Sequence, residues 1–80
     1  MYEYTISKTA DNRAFKKACD IVEGLVKGLV EEKPIIDVDG SVTKTYKRGG
    51  KKIVIYNDYE VDAVYVDSDI NLNDVMEKSN

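Results

Sequence analysis

The chain has 80 residues, 42% of them apolar and 34% charged, with a formal net charge of -3. That is the size of one domain, 1–80, with the composition of an ordinary folded protein, so disorder by composition is excluded. No apolar run approaches the roughly 18 residues of a bilayer-crossing helix, and no secretory leader is visible, so no membrane association is expected.

The sequence contains no histidine and one cysteine, Cys19. The commonest general base and the commonest metal ligand are therefore missing. A lone cysteine cannot form an internal disulfide, which points to a reducing, cytoplasmic setting.

In chain order, Met1 to Lys8 reads as a strand with Tyr2, Tyr4 and Ile6 on one face. Thr9 is placed to cap a helix, with Asp11 in its first turn. The helix is predicted from Ala10 to Glu32. Phe15, Ala18, Cys19, Val22, Val26, Leu29 and Val30 recur at spacings of three and four, and Pro34 stops continuation. Gly24 and Gly28 lie four apart on its polar arc, where either a tolerated bend or a close approach of a second subunit accounts for them.

Strands and turns follow. Ile35 to Val38 reads as a short strand before Asp39-Gly40, which is either a tight hairpin or a bulge in one long strand. Ser41 to Arg48 and Lys51 to Tyr56 flank Gly49-Gly50, and Glu60 to Asp67 is the last strand.

A two-residue Gly49-Gly50 loop sets Tyr46 opposite Ile53 and Lys44 opposite Ile55. A three-residue loop, Asn57 to Tyr59, would set Ile55 opposite Val61 and Ile53 opposite Ala63. One face is then Val42, Tyr46, Ile53, Ile55, Val61, Ala63 and Tyr65, where the helix is expected to pack. The other is Thr43, Thr45, Val54, Tyr56, Glu60, Asp62, Val64 and Val66. Half of it is apolar, so something should cover it. The candidates are the C-terminal tail, with Ile70, Leu72, Val75 and Met76 and a helix capped by Asn73, or a second copy in a homodimer. The fold class is α+β: an N-terminal strand and one long amphipathic helix on a mostly antiparallel meander sheet of three to four strands, with a short C-terminal tail or helix.

The chemistry-bearing residues argue against an enzyme and require no cofactor. Cys19 lies inside the apolar stripe, where a cysteine behaves as a small hydrophobe. The run Asp67-Ser68-Asp69-Ile70-Asn71-Leu72-Asn73 has oxygen-bearing side chains at alternate positions, like a calcium loop. It lacks the glycine at position six (Leu72) and the glutamate at position twelve (Lys78), so no metal site is expected. The paired carboxylates Asp37 with Asp39 and Asp67 with Asp69 read as solvated charge.

Charge is unevenly placed. Lys44, Lys47, Arg48, Lys51 and Lys52 give +5 over residues 44–52, so the rest of the chain carries -8. Two partner readings follow. One is a non-enzymatic interaction protein binding a protein partner, its acidic surface formed by Asp58, Glu60, Asp62, Asp67, Asp69 and Asp74. This pattern suits accessory and inhibitor proteins of phages and other mobile elements. The alternative is nucleic-acid binding by the basic hairpin tip, Lys44, Tyr46, Lys47, Arg48, Lys51 and Lys52, with Tyr46 stacking on a base.

Overall fold

A computed structural model describes residues 1–78. It has six strands and two helices: β1 (Tyr2–Ser7), α1 (Asn12–Leu25), β2 (Val30–Glu31), β3 (Ile35–Ile36), β4 (Val42–Arg48), β5 (Lys51–Asp58), β6 (Ala63–Ser68) and α2 (Asn73–Lys78). The strands form one antiparallel sheet in the order β1-β6-β5-β4-β2, with β3 also paired to β4. The α+β class stands, with more strands than expected.

Helix α1 is shorter than its apolar periodicity implies. Asp11, not Thr9, is the cap: its carboxylate accepts from the Arg13 and Ala14 amides at 2.8 and 3.4 Å. Thr9 is instead held in a turn with Ser7, whose hydroxyl donates to the Thr9 carbonyl. At the other end Val26 is already extended, and Gly28 turns the chain at φ +77°. Gly24 and Gly28 both weaken a helix, by about 1 kcal/mol each. The residues beyond them find another use, since Val30 and Glu31 pair with Lys47 and Tyr46 on β4. Gly28 is therefore a turn residue, not part of a helical face. A Cβ there would sit 3.4 Å from Arg48 Cδ.

Asp37 to Ser41 form a hairpin loop, not a bulge. The Asp37 amide donates to the Ser41 carbonyl at 2.8 Å, the Gly40 amide donates to the Asp37 carbonyl at 3.1 Å, and Gly40 has φ +89°. This is the three-residue loop whose last position favours glycine. The β4–β5 hairpin has the expected register, with Arg48 opposite Lys51, Tyr46 opposite Ile53 and Lys44 opposite Ile55.

The β5–β6 register corrects the expectation. Strand β5 continues through Asn57 and Asp58, and the loop is Tyr59 to Asp62. Asn57 stays in the strand, fully buried, because its amide is used there. It donates to Asn12 Oδ1 at 2.9 Å and accepts from the Asp11 amide at 3.1 Å. Asp58 then starts the turn, accepting from the Glu60 and Val61 amides. Ile55 consequently faces Val66, and Ile53 faces Ser68. Val64 and Val66 belong to the helix side, while Ala63 and Tyr65 belong to the other. Val61 is 66% exposed and Glu60 and Asp62 are loop residues.

The core lies between the sheet and α1, around Ala18, Cys19, Val22, Tyr46, Ile55 and Val66. The tail packs into this same side: Leu72 is 1% exposed, with Ile70, Val75 and Met76 against the cluster. It does not cover the opposite face, as the sequence allowed. Asn71 rather than Asn73 closes the turn into α2, accepting from the Asn73 amide at 2.9 Å. The Tyr4 hydroxyl donates to Asn73 Oδ1 at 2.9 Å and accepts from the Leu72 amide at 2.8 Å. Among the described residues no helix is long and apolar enough to cross a membrane.

Candidate functional site

The side of the sheet away from α1 is left open. Strand alternation and the ladders place Glu3 and Thr5 of β1 there, with Tyr65 and Asp67 of β6. Lys52, Val54, Tyr56 and Asp58 of β5 join them, then Thr43, Thr45 and Lys47 of β4. At its centre Tyr56 and Tyr65, opposite one another, stack with ring centroids 4.6 Å apart and planes at 18°. Val54 beside them is 8% exposed. Such a pair gives a sheet an apolar, quadrupolar platform at little conformational cost.

Carboxylates flank the platform on two sides. At one end Asp37, Asp39, Asp58 and Glu60 line a cavity of about 200 Å³ together with Tyr56 and Tyr65. Two hydrogen bonds organise it: Tyr65 donates its hydroxyl to Asp58 Oδ2 at 3.2 Å, and the Tyr59 amide donates to Ser41 Oγ at 2.9 Å, tying the two loops. Burial and the Asp58 bond push the Tyr65 phenol up to about 12. Burial, then the Asp67 charge, raises Tyr56. The Asp39 carboxyl is lowered by bonds from the Ser41 backbone and hydroxyl, which favour its ionised form. On the second side Asp67 pairs with Glu3 across the ladder. Burial first and the Glu3 carboxylate second raise the Asp67 carboxyl. Two like charges directly opposite on a sheet are unfavourable without a cation beside them.

The expected basic surface is brought together only in part, as Lys47 and Lys52 on the open face. Tyr46 is 1% exposed, its ring in the core and its hydroxyl donating to Glu23 Oε2 at 2.6 Å. It offers no face to a base, a correction that follows from its parity on β4. Lys44 points the same way, ion-paired with Glu31 and 5.7 Å above the Tyr46 ring centroid. Lys47 is held by Glu32 at 2.9 Å, and Arg48 donates to the Lys27 carbonyl. Lys47 and Lys52 pair on the open face, while Arg48 and Lys51 pair at the hairpin tip with the opposite parity.

The expected acidic row is also divided. Asp58 and Glu60 share the cavity, and Asp67 lies with Glu3. Asp62 accepts from the Ala10 amide and Asp69 from the Lys52 amide, each satisfying backbone. Asp74 stands in the first turn of α2, on the helix side. Asp37, Asp39, Tyr56 and Tyr65 are the site residues that sequence reasoning did not select. Their signal was present as an Asp-x-Asp-Gly hairpin and two strand tyrosines, but the β5–β6 register was needed to join them.

Elsewhere, Cys19 is buried and its thiol is raised, by burial foremost. A groove of about 630 Å³ between β1 and α1 has Glu3 and Lys17 as the charged residues of its lining. No group of three metal-ligating side chains occurs among the described residues. No family model, curated protein or solved structure matches the chain, so the functional reading rests on this geometry.

Proposed function

We propose that this chain is a non-enzymatic interaction protein that docks basic side chains of a protein partner on the open face of its sheet. The observation carrying this reading is the stacked Tyr56–Tyr65 pair set between two groups of carboxylates, on a face that no element among the described residues covers. Aromatic rings attract a guanidinium or ammonium group, and adjacent carboxylates supply the ion pair. A cation near Glu3 and Asp67 would also relieve their repulsion. This is the interaction or inhibitor class, in which rigid presentation of charge does the work.

A penta-arginine peptide titrated into isotope-labelled protein tests the reading. Amide shifts are expected to concentrate on β5, β6 and the 37–41 loop, to shrink with salt, and to disappear in Tyr56→Ala. A DNA or RNA oligonucleotide is expected to leave these residues unmoved. Shifts from the oligonucleotide alone, centred on Lys51 and Lys52, would overturn the proposal in favour of nucleic-acid binding.

A further inference from the structure

On strand β5 the open face carries its two charge signs at opposite ends, while Glu3 and Asp67 of the neighbouring strands lie toward the Lys52 end. Strand β5 runs from Lys52, through Val54 and Tyr56, to Asp58 on this side, and Lys47 lies opposite Lys52 on β4. Lys52 and Asp58 are each three residues from Ile55, which faces Lys44 on one side and Val66 on the other. The basic end and the acidic, tyrosine-lined cavity are therefore equidistant from the middle rung of the ladder.

From this symmetry we infer that the occupant of the open face is a second copy of this chain, packed face to face about a two-fold axis crossing the strands at the Lys44–Ile55–Val66 rung. The inference rests on the docking reading above and names the source of the basic groups at the Asp58 cavity; it places no cation at Glu3 and Asp67. A two-fold axis in that position reverses strand direction, so Lys52 of each copy lies over Asp58 and the cavity of the other. The same operation sets Val54 over Tyr56 and Thr45 over Thr43, uncharged groups against uncharged groups. Glu3 and Asp67 fall over Thr5 and Tyr65 and meet no carboxylate. A face-to-face pair of sheets is a standard packing, rotated by about 30° to accommodate twist.

Availability supports the match. The Lys52 side chain is exposed and makes no ion pair among the described residues, and the same holds for Glu60 in the cavity wall. The tail, whose Ile70, Leu72, Val75 and Met76 were a candidate cover for the face, is committed to the other side. Four strands about 4.8 Å apart and seven residues at about 3.3 Å give a face of roughly 19 by 23 Å. That is a small footprint, appropriate to a reversible dimer rather than an obligate one.

Sedimentation equilibrium of the full chain across the micromolar range tests the inference with charge swaps. Wild type is expected to show a monomer–dimer equilibrium that weakens with salt. Lys52→Glu and Glu60→Lys are each expected to weaken dimerisation by about tenfold or more, since each sets like charge on like charge across the axis. An equimolar mixture of the two is expected to restore dimer, because Lys52→Glu in one copy then meets Glu60→Lys in the other. That rescue also excludes misfolding as the cause of the single-variant losses. A wild type that stays monomeric, or a mixture no tighter than either variant alone, overturns the inference. If the protein is monomeric and penta-arginine still shifts Tyr56 and Tyr65, the dimer fails and the docking reading survives. If neither binding is seen, both fail.

Discussion

The β5–β6 register decides which side chains hold the molecule together, and a pair of valine truncations tests it. Val66 is fully buried, between Ile55 and Tyr4 on the ladder and in contact with the α1 side. Val66→Ala removes two methyl groups, worth about 0.8 kcal/mol each in transfer. If the site does not collapse, the void of about 50 Å³ adds about 1.2 kcal/mol at ~24 cal/mol per Å³. The expected loss is about 2–3 kcal/mol, or a fall in melting temperature on the order of 10–20 °C for a domain this small. Val61, 66% exposed in the loop, is expected to lose less than about 0.5 kcal/mol on truncation to alanine. Urea unfolding followed by circular dichroism, with unchanged slope, measures both. A larger loss for Val61→Ala than for Val66→Ala would refute the argument, because that is the order the three-residue loop requires.

Further outcomes follow from individual sites. Gly24→Ala, within α1 and with open space around the added Cβ, should stabilise by up to about 1 kcal/mol, whereas Gly28→Ala should cost about 1–2 kcal/mol through its positive φ and its approach to Arg48. Thermal melts of the two variants should move in opposite directions, and a Gly28→Ala melt at or above wild type would contradict the observed turn. The folded-state value of Asp67 is raised, so its contribution to stability is present below the unfolded carboxyl value and is lost as pH rises through the folded one. Glu3→Gln removes the second cause of the shift. A carboxyl-carbon NMR titration should then find the Asp67 midpoint lower than in wild type, and an unmoved midpoint would dismiss the cross-strand repulsion.

Much of this architecture is readable from local pattern. The Gly49-Gly50 pair and its flanking residues determine the β4–β5 register because a two-residue loop leaves one pairing. The body of α1 is visible in the apolar spacing from Phe15 to Val22, although its cap is Asp11 and not Thr9. What local pattern misses is where a polar residue is buried. Asn57 resembles a turn residue, and its bonds to Asn12 and Asp11, 45 and 46 positions away, satisfy its side chain inside the strand. The end of α1 is hidden for a related reason. Leu29 and Val30 continue the helical spacing, yet Leu29 serves the core from a loop and Val30 serves the sheet edge. Half of the candidate site was legible as charge, through Asp58, Glu60 and Asp67. The other half depends on the ladder that sets Tyr56 beside Tyr65.

The Tyr4 hydroxyl, lodged between Leu72 and Asn73, makes the chain's two outer segments interdependent. Strand β1 must find β6 across roughly sixty residues, a closure about 2 kcal/mol costlier in entropy than a hairpin's. The tail has its own short helix, too brief to persist alone in water. One phenol, donating to one of these segments' side chains and accepting from its backbone, turns two weak attachments into a single latch. Opening either segment breaks both of these bonds and leaves a part-buried polar group on the other without its partner, which couples the two at the edge of the fold.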